Sequence, residues 1–416
     1  MIIEIPYGNK RIIKCKVPSE ISIETLNLKK AITGDVNVSI DREIEDFIYD
    51  KGKILLVVND QERPTPTSKI LNKIHEKIKD KEVKIIVATG AHRSPTEEEL
   101  KWILGNKYEC YRYRTVIHDA KKVEEHEYIG ETKRGNRVYI DKRLLEADKI
   151  IVIGSVEPHY FAGYTGGRKF LLPGLSSYET IEYNHRFALD SNATLLKLNG
   201  NPVHEDMMDA LEVLGRIEDI YSIMMVLDAN GELASIKTGN IKTSFMESVE
   251  KANEIFIVES HGKGDIVVAV ANNPFDISLY QAQKAIEHSK LVVKDGGIII
   301  LVAECRDGIG PRNFYDLLLK SRENKDVEST LEHIKRNYKL GYHKAAKMLE
   351  TFMRTDVWAV TSLRKEVLED IGIRAFYDLE EAINEAIRIK GKDAEVKVVY
   401  NASTIVPLPK SNTNLI

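Results

Sequence analysis

The sequence lacks an excess of charge of either sign. Its 60 Lys and Arg against 64 Asp and Glu give a formal net charge of −4 over 416 residues. That balance excludes the basic footprint of a nucleic-acid binder. Cysteine is scarce: Cys15, Cys110 and Cys305 are far apart. They make no disulfide framework and no metal-spaced pair, which fits a reducing cytoplasm. Long apolar runs are missing too. IIILVA at 298–303 is among the longest, and a membrane helix needs about 20 residues. The start, MIIEIPYGNKR, has Glu4 early and no apolar core, so it does not read as a signal peptide. No internal repeat and no low-complexity linker is visible.

What is present is a regular alternation. ILLVVN (54–59), VKIIVAT (83–89) and KIIVIGS (149–155) are short Val/Ile-rich runs, the first two leading into amphipathic helical stretches and the third into a glycine-rich stretch that ends in a helix start. Such runs predict parallel strands buried on both faces, hence an α/β fold of mostly parallel sheets flanked by helices. Further strands are expected at 223–229, 265–271, 291–303, 356–362 and 395–400. The hydrophobic content of 43% supports real cores, and the length suits two or three domains. The polar stretch ESHGKGD (258–264) is the expected boundary. It gives an N-terminal domain over 1–262 and a C-terminal domain over 263–416, with the active site in the cleft between them. Whether the final segment completes the second sheet or returns to the first domain is left open.

Two helix starts are signalled by capping boxes. Ser94, Pro95 and Glu97 mark one, and Ser176 with Glu179 marks another, so a helix should begin near Ser177 and carry His185. The loop before it, PHYFAGYTGGRKF, holds His159 and Lys169. It is not a P-loop: Arg168 stands where the second glycine is required, and Phe170 replaces the Ser or Thr.

Ligands of parallel α/β sheets bind beyond the carboxyl ends of the strands. The first run ends in Asp60, followed by Arg63; the second ends in ATGAHR with His92; the third is followed by His159. If these strands are neighbours, the four residues share a rim. Taken singly each has a plain reading, as a turn cap, a surface pair or a solvated loop histidine; His75 on the following helix reads as an ordinary surface residue. Together they suggest acid/base chemistry on a small anion. Imidazole titrates near neutrality, and Arg63 can hold a carboxylate. Thr65, Thr67 and Ser68 at a helix start suit a phosphate. In the second half, Tyr280, Gln281 and Lys284 share one helix face, which by itself reads as a solvated face.

These motifs, HYFAGYTGGRKFLLPGLSSYETIEYNH with DQERP, ATGAHR, YQAQK and AECRDGIG, resemble the nickel-dependent lactate racemase family over most of the chain. The resemblance implies an isomerase: a racemase or epimerase of a 2-hydroxy acid. It implies a nickel-pincer nucleotide, a pyridinium mononucleotide whose nickel is bonded to carbon and two sulfurs, tethered as a thioamide to Lys169, with His185 completing the metal's coordination. His92 and His159 match the family's acid/base pair. A hydride and the hydroxyl proton leave the substrate, a 2-keto acid forms transiently, and both return to the opposite face. Asp60, Tyr280, Gln281 and Lys284 match cofactor contacts; Arg63, Lys284 and Trp358 match residues around the substrate. The implied partners are the small hydroxy acid and separate cofactor-making enzymes, with the protein a monomer or homodimer in the cytoplasm. The alternatives are the same chemistry on a larger acid (malate, an aromatic hydroxy acid, an aldonate) and a nucleotide- or nickel-binding protein without racemase activity. A zinc hydrolase is the weakest alternative, since no HExxH pair exists.

Overall fold

Strand Lys53–Asn59 (KILLVVN) is buried at five successive positions, on both faces, as its unbroken apolar run requires. It lies inside one of two units described by a computed structural model, which covers residues 1–9, 11–28, 40–49, 52–228 and 231–410. The two units, Lys30–Ile255 and Met1–Lys29 with Phe256–Ile416, are taken in turn.

The first unit holds a six-stranded sheet in the order 233–240, 220–227, 149–155, 53–59, 82–88, 115–117. All neighbours are parallel except the first pair, which is antiparallel. Helix Thr67–Ile78 follows strand 53–59 and buries Ile70, Leu71, Ile74 and Ile78, the three-and-four spacing of an apolar helix face. Each fully buried Ile or Leu contributes about 1.5–3 kcal/mol. These side chains pack with Ile54, Leu56 and Val58 of the strand and Ile85 and Val87 of its neighbour. The expected strand at 223–229 runs from Ile220 to Leu227; Ala229 lies outside the described residues.

The second unit also holds a six-stranded sheet, parallel throughout, in the order 374–376, 356–360, 293–302, 264–270, 396–399, 23–26. The expected domain limits need correction here. Residues 1–29 belong to this unit rather than to the first, because strand Ile23–Leu26 pairs in parallel with Val396–Val399. The antiparallel hairpin Ile2–Tyr7 with Arg11–Lys16 adds Ile3, Ile5, Tyr7 and Cys15 to the same core. The final segment stays in this unit as well, with Val406–Pro409 paired to Ile257–Ser260. No helix among the described residues is long and apolar enough to cross a membrane.

His288, 1% exposed, sits in the core of this unit with Nδ1 2.7 Å from the Ile405 carbonyl. Burial, aided by the Lys284 charge and opposed by that hydrogen bond, pushes its pKa down to about 4. In the first unit, burial and then Arg168 push His204 down to about 3. Both are neutral in the folded chain, and the unfolded chain protonates them first as pH falls below about 6.5. Stability should therefore be intact above that value and fall toward pH 4, by up to about 1.4 kcal/mol per pH unit for each histidine. Urea midpoints at pH 7 and pH 5 check this, and His288→Gln should flatten the slope.

Candidate active site

In the first sheet strand 53–59 is central, and the chain passes from it to 82–88 on one side and to 149–155 on the other. That reversal is a topological switch point, where the loops beyond the strand ends part and leave room for a ligand. A pocket lies there, lined by Asp60, Arg63, His92, Gly166, Gly167 and Lys169 among others. Four of the residues expected on one rim or on the glycine-rich loop, namely Asp60, Arg63, His92 and Lys169, thus do meet.

Asp60, 3% exposed, places Oδ2 2.7 Å from His92 Nδ1. A carboxylate accepts only, so Nδ1 carries a proton, and in the neutral ring Nε2 presents a lone pair. His92 is held by a turn in which its amide donates to the Thr89 carbonyl and the Gly90 amide donates to that of Gly174. Arg63 Nη1 is 2.9 Å from Glu157 Oε1, in a partly buried ion pair. Sequence reading missed Glu157. The contact uses one of the guanidinium's five N–H donors, so it orients the fork rather than consuming it.

His159 lies in a two-residue hairpin, its backbone opposite Gly163. The Ala162 amide donates to His159 Nδ1 at 3.3 Å, which leaves the ring proton on Nε2. The two expected acid/base histidines therefore hold complementary tautomers. His159 and His185 do not line the pocket itself; both touch the ring of Phe161, with centroids 4.5 and 5.2 Å away. Lys169 Nζ is 5.7 Å from the same ring. Phe161 is the common wall of the three groups, and nothing in its residue type announced it. His185 ends helix Tyr178–His185. Burial first, then the Lys169 and His92 charges, push its pKa down to about 3, so the imidazole is neutral and able to ligate a metal.

Arg168, which disqualified the P-loop, is 1% exposed. It donates to the carbonyls of Ala162 (2.7 Å) and Gly166 (3.2 Å) and lies over the Phe245 ring. Burial pushes it down to about 9. It pins the loop from within, and its neighbours explain the glycines. Gly167 has φ +52°, and a Cβ there would sit 2.6 Å from Phe245 Cγ. The glycine is required by the loop's own packing, not only by room for a ligand. Gly167→Ala should destabilise the protein by about 2–4 kcal/mol, left-handed strain and overpacking combined, read as a lower urea midpoint.

Other expectations shift in detail. The first capping box is Thr96 with Glu99, two residues later than expected, and the second helix is capped by Ser177, one residue later. Thr65 is committed: its hydroxyl meets Ser155 Oγ at 2.8 Å and accepts from Asn59. His75 is not a plain surface residue, since Nδ1 meets the Tyr111 hydroxyl at 3.0 Å and its side chain is 13% exposed. In the second unit, Tyr280, Gln281 and Lys284 form the part-exposed face of helix Leu279–Ser289, while Ala282, Gln283, Ala285 and Ile286 are buried. Trp358 lies in strand Asp356–Val360, 4% exposed, its ring 5.1 Å from Phe376 in the core of its own sheet.

Comparison with known proteins bears on this arrangement. A model of the lactate racemase N-terminal domain matches residues 2–196, and one of the lactate racemase C-terminal domain matches 258–406. The chain belongs to the lactate racemase family. It is an isomerase of the racemase type. The lactate racemase of Thermoanaerobacterium thermosaccharolyticum is 28% identical over 97% of this chain and 98% of that one. The lactate racemase of Lactiplantibacillus plantarum is 27% identical over 97% and 99%. The apoprotein structure of the former superposes with a TM-score of 0.86, covering 98% of this chain and all of that one. A protein from Thermotoga maritima shares the fold at TM-score 0.69 and 15% identity, over 89% and 97% of the two chains.

The residues fit the nickel cofactor that this family implies. No group of three or more His, Cys, Asp or Glu among the described residues could hold a metal ion. Were His185 to hold nickel, a pincer nucleotide would supply the remaining donors. The amine expected to anchor that nucleotide lies on the same aromatic ring as the imidazole.

Proposed function

We propose that this chain interconverts the enantiomers of lactate or a closely related 2-hydroxy acid, using a nickel-pincer nucleotide attached at Lys169. The observation that carries the reading is the pair of histidines with complementary tautomers, one of them seated on Asp60 beside Lys169 at the switch point. When bound, the cofactor supplies a centre that accepts and returns hydride at carbon. The chain's own residues do the rest. Arg63, oriented by Glu157, holds the substrate carboxylate. His92, with Nε2 unprotonated, takes the hydroxyl proton of one enantiomer, while the Asp60 carboxylate stabilises the imidazolium that results. His159 delivers or removes the proton on the opposite face, because the two enantiomers present their hydroxyls from opposite sides. His185 would ligate the nickel. The resemblance, together with their shared helix face, supports assigning Tyr280 and Gln281 to the cofactor and Lys284 to both cofactor and substrate.

The test uses protein co-produced with the cofactor-making enzymes. Intact and peptide mass spectrometry should find a nucleotide-sized adduct on Lys169 with stoichiometric nickel, and polarimetry should show L- and D-lactate interconverting. His185→Ala should lose the nickel and keep the fold. Turnover of malate or an aldonate without lactate would move the substrate and keep the chemistry. An unmodified lysine, where a known lactate racemase is loaded in parallel, overturns the reading.

A further inference from the structure

His118 is a second, fully enclosed histidine network that the acid/base chemistry does not use. Its side chain and that of Asp141 are both 0% exposed. Nδ1 lies 3.1 Å from Asp141 Oδ2, and Nε2 lies 3.1 Å from the Ser176 carbonyl oxygen. Both partners accept only, so both ring nitrogens must carry protons. Asp141 also takes two contacts from Arg143, at 2.7 and 2.6 Å, and Arg143 reaches Glu125, which the half-exposed Lys122 meets from the solvent side. Arg143 and Lys122 thus balance the two carboxylates, and the proton count of the ring rests on its two acceptors. The remaining neighbour, His126, stands edge-on at 5.2 Å and gives Nδ1–H to the Lys122 carbonyl, with burial lowering its pKa.

The position of His118 joins the two halves of the site. Its amide donates to the Val87 carbonyl, and Thr89 donates its hydroxyl to the His118 carbonyl, in the turn that leads to His92. Its ring holds Ser176, the residue before Ser177, which caps the helix carrying His185. We propose that His118, holding Asp141 and the Ser176 carbonyl with its two ring nitrogens, fixes the spacing between the His92 turn and the His185 helix as a doubly protonated ring, and so is a positioning residue for the reaction. The functional half of this inference rests on the reading given under Proposed function.

The protonation half is tested on the apoprotein, labelled with 15N-histidine. Both ring nitrogens of His118 should show protonated shifts at pH 7, while His126 shows one unprotonated nitrogen. An unprotonated ring nitrogen on His118 at pH 7 overturns the proposal. Asp141→Asn should remove the second proton of His118 at that pH; retention of both overturns the role given to the carboxylate. The positioning half is read with His118→Gln. In the apoprotein the ring signals of His92 and His185 should shift while that of His288 stays. In the loaded enzyme kcat should fall about tenfold or more, with KM within about twofold. Unchanged signals with unchanged kcat overturn it. If His118→Gln fails to fold, Thr89→Val, which cuts one link to the same node, is read in the same way. If the wild-type enzyme racemises no acid, the functional reading falls, and the ring spectra still decide the imidazolium.

Discussion

Lys169→Ala is expected to abolish racemisation. Without the amine the proposed cofactor would have no attachment, and the proposed hydride chemistry would have no other source in the chain's side chains. The whole acceleration then disappears, at least about 10⁶-fold for a typical enzyme. Mass spectrometry should show a bare chain and metal analysis no nickel, with the melting profile unchanged because Lys169 is only partly buried at the pocket wall. An adduct that survived the substitution would place the anchor elsewhere.

The second large effect is at the Asp60–His92 pair. His92→Ala would remove the proposed general base, and its loss should cost about 10²–10⁴-fold in kcat while the adduct on Lys169 remains. Asp60→Asn should cost less. The ring stays in place, but the partner that fixes its tautomer and stabilises its charged form is gone. Full activity in both directions for either His92→Ala or His159→Ala would defeat the two-base scheme. Measuring the L-to-D and D-to-L directions separately tells the two imidazoles apart.

Much of this site was legible because its signals are local. Val/Ile runs set the central strands, and the residues just past each run fall on one rim once the strands are neighbours. The histidines and the lysine stood out by type. Other features depend on partners distant in sequence. Glu157 is an ordinary acid until it meets Arg63 across 94 residues. Phe161 is one more aromatic until three functional groups share its ring. His118 gives no hint of its two acceptors before Asp141 and Ser176 close on it. Trp358 stood out by type, but its packing on Phe376 inside strand Asp356–Val360 was not readable from that. The capping boxes slipped by one or two residues because SPTEEE and LSSYE each offer more than one hydroxyl that can cap. Strand Ile23–Leu26 escaped notice because its four residues mix charged and apolar types, and its edge position tolerates that.

That edge strand has a consequence for how the chain is made. Glu24 and Lys397, which pair across it, are 373 positions apart. During synthesis the strand leaves the ribosome long before its neighbour exists, and the whole of Lys30–Ile255 is produced between them. The intervening unit can gather its own sheet and core during this wait, since domains fold as units while the chain grows. The outer unit must keep an unpaired strand and an apolar hairpin in reserve until translation is nearly complete. Its assembly is the late step, closed by the C-terminal strands, and it is the stage at which a growing chain most needs protection from pairing with the wrong edge.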